Sequence, residues 1–160
     1  MTIPAKSVMT KDVVTASPET TIAELARRML KRGVSALPVV DAQNRPLGVV
    51  SEGDVLRHFS AGFQSKRAQW LHKLAEGEAM SSAFLAEIGL EHGKASGLMH
   101  SPAIVASEEA SLAELSDLMI REKIKHVLIV RDGVLVGIVS RADVVRAVVE
   151  NLQDLLEPTV

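Results

Sequence analysis

The chain has no cysteine and no tyrosine in its 160 residues. Without thiols there is no disulfide framework, no thiolate nucleophile and no cysteine-based zinc site, a usage that fits the cytoplasm. Aromatic residues make up only 2%, and the four present, Phe59, Phe63, Trp70 and Phe84, all lie mid-chain. So few rings argue against a stacking platform for nucleic acid. A net charge of -2 gives no general pull toward polyanions or an anionic membrane. No apolar run approaches the roughly 20 residues of a membrane-crossing helix, and the opening MTIPAKSVMTKD lacks the apolar core of a secretory leader. Neither nucleic acid nor a membrane is therefore an expected partner.

Catalytic signatures are missing as well. There is no G-x-S-x-G, no P-loop and no HExxH, and the histidines (His58, His72, His92, His100 and His126) form no metal-spaced cluster. No catalytic residue, no metal ligand and no enzyme activity is expected. What remains is an ordinary globular composition, 47% hydrophobic and 24% charged, with enough length for one full core or two small units.

The chain does contain an internal repeat. Segment 7–58 runs from SVMTKDVVTASPETTIAELA to RPLGVVSEGDVLRH, and segment 97–147 runs from GLMHSPAIVASEEASLAELS to VLVGIVSRADVVRA. Met9 aligns with Met99 and Ser17 with Ser107. Further on, Gly48, Ser51 and Asp54 align with Gly137, Ser140 and Asp143. The expected organisation is a first repeat at 1–58, a helical insert at 59–96, and a second repeat with a C-terminal helix at 97–160.

Each repeat reads β-α-β-β-α, so the fold class is α+β, with two such units packed sheet to sheet in pseudo-two-fold symmetry. A short apolar piece comes first (Val13–Val14, Ile104–Val105). A helix follows behind a capping-box signal, T-x-x-E at Thr21–Glu24 and S-x-x-E at Ser111–Glu114, and Gly33 is placed to end the first helix. Two β-rich runs joined by AQNR or DG come next, and a second helix starts near Ser51 or Ser140. A unit of about fifty residues buries too little apolar surface alone, which calls for two of them together.

Residues 59–96 are not repeated. SKRAQWLHKLAEG, with Trp70, Leu71 and Leu74, and MSSAFLAEIG read as two helices. They pack on the core or a dimer partner, or they bind an effector protein. The basic residues Lys66, Arg67, His72 and Lys73 read as a solvated helix face. Val145, Val148, Leu152 and Leu155 form an a/d-like seam in the last helix, suited to intrachain burial or to a homodimer.

The repeated Ser and Asp admit two readings. Ser51 and Ser140 are placed as N-caps after a strand, with Asp54 and Asp143 at N3, so helix capping alone explains the spacing. The same corner also presents backbone N–H groups and a carboxylate able to accept two hydrogen bonds from a ribose cis-diol. Val14, Val34 and Leu37 offer aliphatic walls for a base.

With the two G-h-h-S-x-x-D motifs in register, VMT at 8–10 against LMH at 98–100, and SALPVVD at 35–41, the chain resembles tandem CBS-domain proteins, or Bateman modules. The resemblance covers both repeats. It implies a regulatory, non-catalytic module that binds an adenosine-containing ligand (AMP, ADP or ATP, or NAD or S-adenosylmethionine) in clefts between the repeats, transmits a conformational signal and pairs into homodimers. Carried over by position, Ser51 with Asp54 and Ser140 with Asp143 would hold ribose and phosphate. Thr15, Ala16 and Pro18 would line the first cleft, and Val105 and Ala106 the second. Ser35, Ala36 and Leu37, and Lys125, His126 and Val127, would meet base or phosphate. Arg141 stands where the first repeat has Glu52, and Lys125 and His126 stand where it has Ser35 and Ala36. The second site therefore suits a phosphorylated ligand better. Leu128 in place of Pro38, and Glu108 in place of Pro18, depart from the first repeat. The rival reading is an adaptor with unused clefts whose 59–96 insert binds a protein.

Overall fold

The structure, a computed structural model, describes residues 2–60, 93–152 and 156. The expected insert helices around Trp70 lie outside the described residues. In chain order the elements are α1 (Ala5–Val8), α2 (Ile22–Arg32), β1 (Ala36–Val40), β2 (Pro46–Ser51), a helix α3 at 52–60, α4 (Ala95–Leu98), β3 (Val105–Ser107), α5 (Leu112–Arg121), β4 (His126–Arg131), β5 (Val134–Ser140) and α6 (Arg141–Glu150). This is the α+β repeat pattern expected from the sequence.

The chain divides into two compact units. The first holds Val14–Ala42 and Leu47–Ser101; the second holds Met1–Val13, Gln43–Pro46 and Pro102–Val160. Met9 and α1, which lead the first repeat in sequence, thus belong to the second unit. Met99 and α4 belong to the first.

In the first unit, α2 starts because the Thr21 hydroxyl accepts the Glu24 N–H at 3.2 Å. It stops at Gly33, whose φ of 62° lets its N–H reach Met29 O. The Glu24 carboxylate turns outward to Arg27 Nε (3.0 Å) and Arg28 Nε (3.2 Å), so only half of the expected capping box forms here. Helix α2 buries Ile22, Leu25 and Met29, the i, i+3, i+7 stripe of an amphipathic helix. The core beneath it contains Leu37, Val39, Val50 and Ala95. β1 and β2 form a two-stranded sheet. The expected leading strand is reduced to one parallel bridge, Ala16 to Val39.

The second unit has the leading strand in full. β3 runs parallel to β4, pairing Val105 with Leu128 and Ala106 with Ile129. β4 runs antiparallel to β5, pairing His126 with Ser140. The tight turn between them uses Asp132 (φ 52°) and Gly133 (φ 78°), a left-handed pair suited to a short hairpin. Helix α5 carries a complete capping box: Ser111 Oγ accepts the Glu114 N–H at 3.2 Å, and the Glu114 carboxylate accepts the Ser111 N–H at 2.6 Å. Leu115, Met119, Val127, Ile129 and Val139 form the core with Ala5 of α1. Helix α6 buries Val144 and Ala147. The seam residues Val145, Val148 and Leu152 are exposed by 62%, 37% and 47%, so intrachain burial, one of the two readings of that seam, does not occur at these three. Leu155 lies outside the described residues.

Candidate functional site: two strand-to-helix corners

Each unit carries one corner where a strand feeds a helix, built the same way. In the first unit the Glu52 N–H donates to Ser35 O at 2.9 Å, and in the second the Arg141 N–H donates to Lys125 O at 3.0 Å. These bonds tie the start of each helix to the residue preceding β1 or β4. Ser35 and Ala36 therefore lie beside Ser51, and Lys125 and His126 beside Ser140. At both corners the acid at N3 folds back on the N-cap. The Ser51 N–H donates to Asp54 Oδ2 at 2.8 Å and the Ser140 N–H to Asp143 Oδ2 at 2.8 Å. The serine hydroxyls accept the Asp54 N–H at 3.3 Å and the Asp143 N–H at 3.2 Å. Helix capping, the first reading of the repeated Ser and Asp, is present at both corners.

The remaining carboxylate bonds separate the two. Asp54 is 4% exposed and takes four donors. Oδ2 also accepts the Ser51 hydroxyl at 3.0 Å. Oδ1 accepts Arg57 and, at 2.7 Å, Nε2–H of His100. Burial pushes the Asp54 carboxyl up, but the hydrogen bonds from Ser51, His100 and Arg57 outweigh it and hold the group below the usual carboxylate range. Asp143, 17% exposed, takes the Ser140 amide on Oδ2 and Arg146 on Oδ1 at 3.2 Å. A carboxylate has about four acceptor sites. Asp54 has filled them; among the described residues Asp143 has filled two.

Charge differs in the same sense. Lys125 and Arg141 are exposed beside Ser140, and Arg146 pairs with Asp143. The Arg141 guanidinium donates Nε–H to Ile124 O at 3.1 Å, which holds it at the corner. The first corner offers Arg57 and His100 against the acids Glu52 and Asp54.

The residues expected to share the first site do not all meet. Ser35, Ala36, Ser51 and Asp54 gather at the corner. Thr15, Ala16 and Pro18 instead line a surface hollow of about 370 Å³ with Arg28, Val40 and Asp41, at the far end of β1. Four residue steps of strand separate Ala36 from Val40, about 13 Å. The Arg28 guanidinium donates to Thr15 O at 2.8 Å there. In the second unit the aligned position holds an ion pair: Arg131 donates from Nε and a terminal nitrogen to both Glu108 oxygens, each at 2.6 Å. Arg131 beside it pulls the Glu108 carboxyl below its ordinary value. Val105 and Ala106 pair two and three residues along β4 from His126. Leu37 and Val127 are completely buried in the cores.

Three contributing residues are not among those expected from the sequence. His100 occupies the place of Thr10 in the repeat, and its backbone bridges Val49 as Thr10 bridges Ile138. Arg57 and Arg146 recur at matching positions and pair with the acids three residues earlier. That recurrence was the available signal for the arginines. For His100 the signal was its departure from the repeat.

The fold and corners define a class: two tandem α+β repeats, each closing a strand-to-helix corner with a capping acid. The CBS domain family model matches residues 5–61 and 95–150, and the chain belongs to that family. A crystal structure of the CBS domain of a CBS domain containing membrane protein from Sphaerobacter thermophilus is similar at 30% identity and a TM-score of 0.68, covering 91% of this chain and 87% of that one. CBSX2 in complex with AMP shares the fold at 23% identity and a TM-score of 0.67, with 92% and 96% covered. So does the CBS domain pair of MJ0100 in complex with 5-methylthioadenosine and S-adenosyl-L-methionine, at 20% identity and a TM-score of 0.70, with 94% and 99% covered. Among curated relatives, homoserine O-acetyltransferase of Methanococcoides burtonii is 44% identical over 52 residues, 32% of this chain but 11% of that protein. An uncharacterized Methanopyrus kandleri protein is 25% identical over 87% of this chain and 59% of its own length. The chain thus spans less than two thirds of the length of both.

Proposed function

We propose that this chain is a regulatory, non-catalytic module that binds an adenosine-containing small molecule at a strand-to-helix corner and passes the resulting conformational change to an effector. One observation carries the reading. Asp143, held at a strand-to-helix corner with half of its acceptor sites open among the described residues, pairs with Arg146, and Lys125 and Arg141 are exposed on the segments that flank its N-cap Ser140. A ribose diol donates two hydrogen bonds, the number Asp143 has room for. A phosphate set beside those cations gains charge-assisted bonds. The family relatives that hold AMP, or 5-methylthioadenosine with S-adenosyl-L-methionine, support the adenosine class of ligand.

Binding shifts a conformational equilibrium only by the ligand's differential affinity for the two states. A cytoplasmic homodimer with an effector contact through 59–96 belongs to the same proposal. The test is calorimetric titration of nucleotide-free protein with AMP, ADP, ATP, NAD, 5-methylthioadenosine and S-adenosylmethionine. At least one should bind, and Asp143→Ala should weaken it at least tenfold. No heat from any of the six refutes the reading.

A second reading has one observation in its favour. Both corner acids already cap their helices, as they would in an adaptor that uses the fold only as a frame. On that reading Asp143→Ala changes stability by about 1 kcal/mol and no ligand affinity.

A further inference from the structure

The two corners differ most at a residue the repeat does not share. His100 Nε2–H is bonded to Asp54 Oδ1 at 2.7 Å, while Thr10, at the matching place, makes no side-chain bond among the described residues. Two of the other three bonds have counterparts: Arg57 matches Arg146, and the Ser51 amide matches the Ser140 amide. The third comes from the Ser51 hydroxyl at 3.0 Å, a rotor on the N-cap residue itself. A diol approaching Asp54 must therefore displace a bonded donor. His100 is the one placed to give way, because its side chain is 75% exposed while its main chain stays pinned to Val49 by bonds of 2.9 and 3.1 Å.

We propose that His100 is a specificity-determining residue that closes the first corner: its imidazole occupies the Asp54 oxygen that a ribose hydroxyl would use. The chain then takes one adenosine ligand at Asp143 in preference to two. This rests on the proposed function and adds an asymmetry to it. A bound ligand at Asp54 has to replace the imidazole as well as solvent, which lowers its apparent affinity by the fraction of molecules with the imidazole released.

The probe is AMP, with the full chain and its variants followed by native mass spectrometry and calorimetry. Wild type should take one AMP per chain at low concentration. His100→Thr, which copies Thr10 and keeps the backbone pairing, should take two. In Asp143→Ala, where only the first corner remains, adding His100→Thr should tighten AMP at least tenfold, about 1.4 kcal/mol. His100→Gln, which retains a donor, should leave the first corner closed. Melting curves confirm that each variant is folded. Unchanged stoichiometry and affinity in His100→Thr overturns the proposal. So does weaker binding, which would make His100 a ligand contact. Absence of AMP binding in the wild type and in every variant instead overturns the proposed function for this nucleotide, and the inference falls with it.

Discussion

Adding one methyl group at Gly48 tests how the units hold their leading segments. The site is extended strand, where alanine is favoured over glycine by roughly 0.5–1 kcal/mol, so backbone propensity alone predicts a more stable protein. Space predicts the reverse. A Cβ at Gly48 would stand 2.5 Å from the His100 carbonyl oxygen and 2.9 Å from Met99 Sδ. A carbon needs about 3.3 Å from a carbonyl oxygen, so the 99–100 backbone must retreat by nearly 1 Å. That segment is paired to Val49 by two main-chain hydrogen bonds of 2.9 and 3.1 Å, which the retreat stretches or breaks. Overpacking costs about 1–3 kcal/mol and each weakened bond about 0.5–1.5 kcal/mol. After the propensity gain the net loss is about 1–5 kcal/mol, centred near 3 kcal/mol. With a urea slope near 2 kcal/mol/M, the central value lowers the unfolding midpoint by roughly 1.5 M. Gly137 is the internal control. Its Cβ would meet Met9, with Cγ at 2.8 Å and Cβ at 3.0 Å; the outer methionine atoms can turn aside, and the Cβ contact asks the segment to give by only a few tenths of an ångström. Gly137→Ala should therefore cost about 1 kcal/mol or less. Adding Met99→Ala should not rescue Gly48→Ala, because the carbonyl remains. Equal costs at the two glycines, or rescue by Met99→Ala, would refute the reasoning.

Two further outcomes follow from the caps. Asp54 lies below the usual carboxylate range in the folded chain, so its stabilisation is fully present above about pH 4 and is lost as pH falls through the depressed value. Asp54→Asn should thus be less stable than wild type at pH 7, with the gap closing on acidification in urea titrations between pH 2.5 and 7. Ser111→Ala, which breaks a complete capping box, should cost about 1–2 kcal/mol by thermal melting, and Thr21→Ala, with one cap bond, about 0.5–1 kcal/mol.

Local rules carried the sequence reading where the physics is local. Helix starts at Thr21, Ser111 and Ser140 and the stop at Gly33 each depend on atoms within four residues, and each is observed. The box at Thr21 is incomplete because Arg27 and Arg28, one turn on, compete for the Glu24 carboxylate. The exposed seam in α6 shows the limit of periodicity, which identifies an apolar stripe without saying what covers it. Placement of Thr15, Ala16 and Pro18 needed strand direction and length: a parallel strand carries them away from the corner as β1 runs on.

The repeated glycines and methionines have a common cause that no single repeat contains. Read within one repeat, Met9 and Gly48 are 39 positions apart and have nothing to do with each other. In the folded units Met9 lies on Gly137 and Met99 on Gly48. Each leading segment pairs with the closing strand of the other copy, through Thr10 with Ile138 and His100 with Val49. The absent Cβ lets that segment approach the strand, and the methionine fills the space left open. This exchange also explains why the first corner acquired a residue the second lacks. Position 100 borders the first corner but is written in the second repeat, so changing it alters Asp54's surroundings and leaves those of Asp143 untouched. Copies that traded their leading segments can thus diverge at one corner without disturbing the core of either.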